Sequence, residues 1–201
     1  MSGRTLAIGT SSPALSLALF EGGRLLAHDH RLIGRGHAEA VVPAVAALAG
    51  QGRAEAIVVD IGPGSFTGIR VGIAAARALG LAWGARVTGV GAVHLAAARA
   101  FAARPELEGV TVLLDAGRGQ LIRAEVARDF GGGAVEIVSP DGLCLAGPVA
   151  GAGVLLLGGR EGLDVVHDGQ PDVAALMGVP EAARGMLPDA IYVRPPDVLK
   201  L

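Results

Sequence analysis

Apolar positions along the first hundred residues follow two rhythms. Leu15, Leu17 and Leu19 recur at every second position, the period of a strand, and residues 5–9, 15–20 and 24–30 read as three strands. Glu21-Gly22-Gly23 supplies a hairpin turn between the last two. Val41, Val45 and Leu48 then fall three or four apart, so residues 37–49 read as a helix that Gly50-Gln51-Gly52 ends. Ala56-Ile57-Val58-Val59-Asp60-Ile61 is a mostly β-branched run short enough for a buried strand. The spacing beyond it predicts a long helix up to Trp83, a strand at 86–90 and a helix at 92–103.

Pro105 and Glu106-Leu107-Glu108-Gly109 mark a boundary, dividing a domain of residues 1–104 from one of residues 105–201. In the second, residues 110–114 and 121–128 read as another hairpin, and 135–138 and 154–157 as shorter strands. Residues 139–153, rich in Gly, Pro and Ala, read as irregular. This half lacks a long amphipathic helix and looks like a reduced copy of the first.

Between the 56–61 strand and the long helix lies Gly62-Pro63-Gly64-Ser65-Phe66-Thr67-Gly68-Ile69-Arg70. Proline has no N–H and glycine tolerates positive φ, so the strand cannot continue here. Ser65 and Thr67 are both N-cap types. A glycine loop at the positive end of a helix suits an anion or a close backbone contact. It is not a P-loop, which closes on Lys-Ser or Lys-Thr, because the chain's one lysine is Lys200. Nor is it the dinucleotide fingerprint, because the third glycine falls one residue late.

Asp60 through Arg70, continuing through Val71-Gly72-Ile73-Ala74-Ala75-Ala76-Arg77-Ala78-Leu79, closely resembles the signature of the TsaB (YeaZ) family. These are bacterial accessory proteins of threonylcarbamoyl-adenosine formation on tRNA. Leu6-Ala7-Ile8-Gly9-Thr10-Ser11-Ser12-Pro13-Ala14-Leu15-Ser16 resembles the family's opening hairpin. Leu114-Asp115-Ala116-Gly117-Arg118-Gly119-Gln120 resembles its central turn, and Tyr192-Val193-Arg194-Pro195-Pro196-Asp197 its tail. The four motifs stand in the family's order and cover essentially the whole chain. The resemblance implies an α/β fold of the actin-like ATPase (ribonuclease H-like) kind, in two lobes with the second reduced. It also implies a non-catalytic partner of a TsaD-like catalytic subunit, with a TsaE-like ATPase as a further subunit. That complex transfers threonylcarbamoyl to adenosine 37 of tRNAs reading codons beginning with A. In the family, the first two helices make both this contact and a homodimer contact.

Gly68, Gly72, Ala76 and Gly80 recur every four residues along the long helix, a smooth stripe that a second helix could approach closely. The expected partner or dimer surface is therefore Gly68, Arg70, Val71, Gly72, Ala75, Ala76, Leu79 and Gly80, together with the loop Gly62, Pro63, Gly64, Ser65, Phe66 and Thr67. On the other reading the stripe packs inward, on the sheet, a role that Ile69, Ile73 and Leu79 could also fill.

Composition narrows the partners. The formal net charge is −2 and the arginines are scattered, so tRNA would be reached only through a complex. Cys144 is the single cysteine, which excludes an intramolecular disulfide and suits a reducing cytoplasm. Met1-Ser2-Gly3-Arg4 leads straight into a strand-like run, with no signal peptide expected. Residues 71–85 contain Arg77 and are too short to span a bilayer, so no membrane role is expected.

Candidate chemistry is sparse. Gly9 stands where the family usually carries an aspartate, and the change removes a hard oxygen ligand from any magnesium–nucleotide site. Thr10, Ser11 and Ser12 remain as a vestigial nucleotide site, their hydroxyls able to bond phosphate or to cap the turn. His28 and His30 share one strand face but lack a third ligand at convincing spacing, and a solvated edge strand is expected. His37 and Glu39 form no His-Glu-x-x-His pattern. Nothing beside Ser65 or Thr67 supplies a base, and Asp60 and Asp115 suit bonding to loop amides. No catalytic residue, cofactor or metal is expected. The competing function is a stand-alone actin-like enzyme, either an ATPase or small-molecule kinase or a glycoprotease-like metal peptidase.

Overall fold

The computed structural model describes residues 3–193. Arg194-Pro195-Pro196-Asp197 of the tail motif, Lys200 and the first two residues lie outside the described residues. Strands β1 (Arg4–Gly9), β2 (Ala14–Glu21) and β3 (Arg24–Leu32) form an antiparallel meander, with Gly22 and Gly23 at positive φ in the tight turn. Helix α1 (His37–Ala47) leads to β4 (Ala56–Asp60), and helix α2 (Phe66–Trp83) crosses to β5 (Arg86–Val90). Both β4 and β5 join in parallel, giving the order β3-β2-β1-β4-β5.

Strand alternation sorts the core into two layers. Leu6, Ile8, Leu15, Leu17, Leu19, Ile57 and Val59 pack with Val41 and Val45 of α1 and with Ile69 and Ile73 of α2. On the opposite face, Ala7, Ala18, Phe20 and Val58 pack with Leu95 and Ala98 of helix α3 (Ala92–Ala103) and with Val173 and Leu176. The remaining face of α3, Ala92, Ala96, Ala100 and Phe101, meets Val110, Val112, Leu114 and Ile122 of a second sheet. Its alanines let one helix serve as a shared wall between two sheets.

The second sheet comprises β6 (Gly109–Gly117), β7 (Gln120–Ala127), β8 (Glu136–Val138), β9 (Pro148–Ala150) and β10 (Asp164–His167), in the order β10-β9-β6-β7-β8. The expected strand at 154–157 is instead a 3-10 helix, Ala152–Leu157. Gly153 runs so close to β6 that an added Cβ would lie 2.7 Å from the Leu113 carbonyl carbon, and the chain turns there rather than extending. Within the stretch expected to be irregular, β9 pairs in parallel with β6. Helix α1 ends at Ala47, two residues early, because Leu48 takes extended backbone, and Gly50 and Gln51 then turn the chain at positive φ.

The end of the described chain returns to the first sheet. The 3-10 helix Val173–Gly178 and helix α4 (Glu181–Arg184) precede a stretch in which Gly89 N–H donates to the Met186 carbonyl at 2.7 Å and Ile191 N–H to the Ile61 carbonyl at 2.8 Å.

Candidate functional site: the cleft at the signature loop

A cleft of about 530 Å³ opens between the sheets, lined among others by Ser11, Ser12, Gly64, Phe66, Asp115 and Tyr192. Segments far apart in sequence meet in it: the turn after β1, the loop before α2, β6 and β7 near their turn, Ile137 of β8, Gln170-Pro171 and Tyr192-Val193.

The loop approaches the end of β1 backbone to backbone. A Cβ on Gly64 would overlap the Ser11 carbonyl oxygen, and one on Gly68 would overlap that of Thr10. The Ser65 amide donates to the Ser11 carbonyl at 2.6 Å, and Ser65 Oγ caps α2 by accepting from Gly68 N–H at 3.2 Å. These glycines are therefore required by contact.

Hydroxyls at the vestigial nucleotide site are already engaged. Thr10 Oγ1 donates to the Gly68 carbonyl at 2.7 Å, Ser11 Oγ donates to Asp60 Oδ2, and Ser12 Oγ accepts from Ala14 N–H at 3.2 Å. Asp60 Oδ1 also accepts from Gly62 N–H at 2.8 Å. Burial pushes the Asp60 carboxyl up to about 6, against the lowering pull of Ser11 and the Gly62 amide. Asp115, at the other side of the cleft, accepts from Gly117 N–H at 2.7 Å. Both carboxylates bond loop amides, as their strand-end positions predict.

Gly9 is sealed. A Cβ there would lie 2.9 Å from Val173 Cγ1, so an acidic side chain at this position fits only if Val173 shifts. Sequence spacing carries no sign that Val173 fills this position, or that Gln170 and Pro171 line the cleft.

The small-residue stripe is inward, which corrects the expectation of an exposed partner surface. Gly68, Gly72, Ala76 and Gly80 are buried, as are Ile69 and Ile73. An added Cβ on Gly72 would overlap Thr10 Oγ1, and one on Gly80 would overlap Val87 Cγ2. At 100° per residue the stripe and the isoleucines merge into one broad face, and that face rests on the strands. Ala75 is buried in the cluster that contains α1, with Val71 and Leu79 half-buried against it. Among Gly68, Arg70, Val71, Gly72, Ala75, Ala76, Leu79 and Gly80, Arg70 alone is exposed. Its guanidinium stacks 3.8 Å from the Phe66 ring centroid, and its Nε donates to Tyr192 Oη at 3.0 Å, tying the signature loop to the tail. Ser65 and Thr67 are exposed, Phe66 and Gly64 half-buried, and Gly62 and Pro63 buried. Besides Thr67 and Arg70, the exposed residues of α2 are Ala74, Arg77, Ala78, Leu81 and Ala82.

His37 is buried with Nε2 3.3 Å from the Ala14 carbonyl oxygen, a structural contact. His28 and His30 share one face of β3, as the period of two requires. Among the described residues, no helix is long and apolar enough to cross a membrane.

A family model described as TsaD: tRNA N6-adenosine threonylcarbamoyltransferase matches residues 31–153, more than half of the chain. The chain is 36% identical over 135 residues to the tRNA threonylcarbamoyladenosine biosynthesis protein TsaB of Escherichia coli (strain K12), covering 64% of this chain and 57% of that protein. It is 34% identical over 137 residues to the protein of the same description in Haemophilus influenzae, covering 63% and 57% respectively. The matches thus span under two thirds of the length of these relatives. YeaZ from Pseudomonas aeruginosa has a similar solved structure, with a TM-score of 0.78 at 24% identity, covering 96% of this chain and all of that one. That likeness speaks for the fold, and the actin-like α/β architecture with a reduced second lobe is the one observed.

Proposed function

The chain belongs to the tRNA N6-adenosine threonylcarbamoyltransferase family, and from that premise we propose that it is a non-catalytic partner subunit in threonylcarbamoyl transfer to adenosine 37 of tRNAs reading codons beginning with A. Its catalytic partner is a TsaD-like subunit, a TsaE-like ATPase completes the complex, and the chain forms a homodimer when alone. It works in the cytoplasm and meets tRNA only through the complex. The division into a 1–104 and a 105–201 domain belongs to the same reading.

The observation that carries the non-catalytic part is the sealed Gly9. Val173 Cγ1 stands 2.9 Å from where a Cβ on Gly9 would project, so an acid at this position of the first strand would crowd it, and Thr10, Ser11, Ser12 and Asp60 are bonded to one another or to the backbone. The cleft keeps its glycine loop but offers little for phosphoryl chemistry. Partner contact then falls to the outer surface of α1 and α2, where Val42 and Leu81 are exposed apolar side chains at 50% and 88%.

Depletion of the gene tests the function. Nucleoside mass spectrometry should show threonylcarbamoyl-adenosine falling in the tRNA pool, and an unchanged level would refute the assignment. The purified chain alone should show no ATP hydrolysis or proteolysis above background. Turnover that follows the protein peak through re-purification would favour the stand-alone enzyme.

A further inference from the structure

The face of the first sheet that receives Val173–Gly178 carries a polar cluster at its β3 edge. There Ser16, 1% exposed, and Asp172, 6% exposed, sit beside His28 and His30. Ser16 and His30 are cross-strand partners, as are Ala18 and His28, so the pleat of the β2–β3 pair places both imidazoles on the side that Asp172 reaches. Asp172 arrives from 144 positions beyond His28, as the N-cap of the Val173–Gly178 helix.

The donor atoms converge. His28 Nε2 lies 2.9 Å and His30 Nδ1 3.7 Å from Asp172 Oδ1, and all three ligand atoms fall within 4.8 Å of one another. Tetrahedral zinc bonds of about 2.0–2.1 Å separate neighbouring ligand atoms by roughly 3.3 Å, so the observed pair distances bracket what an ion needs. Two imidazoles and a carboxylate form a donor set for zinc and its neighbours rather than for magnesium or calcium, which take oxygen.

An outer shell already orients the carboxylate. Ala174 N–H donates to Asp172 Oδ1 at 2.9 Å, Ser16 Oγ donates to it at 3.1 Å, and Arg99 faces Oδ2 at 3.5 Å. Ser16 Oγ is also 3.0 Å from His30 Nδ1. The His28 side chain is 33% exposed, which leaves an open side for ion entry and for water as a fourth ligand.

We propose that His28, His30 and Asp172 form a binding site for one zinc-class divalent cation, which clips the segment from Gln170 to Gly178 onto the edge strand β3. Gln170 and Pro171 line the cleft, so the ion fixes one of its walls. Sequence spacing hid this site because the third ligand comes from the far end of the chain.

The test uses the full chain, free of any affinity tag and stripped with a chelator, titrated with zinc against a chromogenic competitor. One equivalent should bind saturably and raise the melting temperature, while magnesium should do neither. His28→Ala, and His28→Gln, which keeps a hydrogen-bond donor, should each weaken zinc binding about tenfold or more and abolish the melting shift. Cys144→Ser, removing the exposed thiol, should change neither. Failure to saturate would overturn the proposal, as would binding that survives both His28 variants or disappears in Cys144→Ser.

Discussion

On the inner face of α2, Gly68, Gly72, Ala76 and Gly80 lie against Thr10, Val59 and Val87, whereas on its outer face Arg70, Ala74, Arg77, Ala78 and Leu81 stand in solvent. Both faces are rich in small residues, yet the smallness serves different ends. Inside, a hydrogen in place of a methyl lets a helix touch strand backbone. Outside, Ala74 and Ala78 are exposed, Arg70 and Arg77 reach to Tyr192 and Asp189, and on the proposed reading it is this face that meets another protein. Small size marks close approach, and only the packed structure tells which approach is internal.

The sharpest way to break this contrast is Gly68→Ala. In an exposed helix interior the change stabilises by about 1 kcal/mol. Here the new methyl would overlap the Thr10 carbonyl oxygen and push α2 off β1. Overpacking against backbone should outweigh propensity, with a net loss of about 3 kcal/mol, at the top of the usual range. For a chain of this size that corresponds to a melting point roughly 6–12 °C lower. A melting temperature at or above that of the parent would show that the inner face has slack.

Asp60 sharpens the same contrast through pH. The folded carboxyl sits at about 6 against an ordinary 3.8, chiefly because it is buried. Between those values the folded chain holds a proton that the unfolded chain has released. Stability from this group is fully present below the unfolded value and is lost as pH rises through about 6. The full swing is roughly 3 kcal/mol, from about 1.4 kcal/mol per unit. Asp60→Asn carries no charge, so the stability difference between parent and variant should change across this window by an amount of that order. Urea unfolding at several pH values measures it, and parallel stability curves would show that Asp60 ionises inside the fold without penalty.

Much of this architecture was legible because local signals agreed with the tertiary result. Ser65 caps α2 as its residue type and position predict, and the Leu15, Leu17 and Leu19 alternation does face one layer. What stayed illegible depended on distant chain. Residues 154–157 are apolar enough for a strand, yet Gly151 and Gly153 turn the backbone against Leu113. Neither the Val173 that fills the space at Gly9 nor the Asp172 that meets the two histidines has any signal near its partner. A four-residue spacing of small side chains is silent about direction, since it fits a partner helix and a strand equally well.

The outer face carries the smallest effect on folding and the largest on assembly, and Leu81→Glu reads both. Leu81 is 88% exposed, so the substitution should leave stability within about 0.5 kcal/mol of the parent. Sedimentation of the variant with its TsaD-like partner is the direct measurement of the proposed role. The expected result is an unchanged melting temperature with the heterodimer lost. A heterodimer that forms with parental affinity would contradict the assignment of the outer α2 face as the surface through which this chain acts.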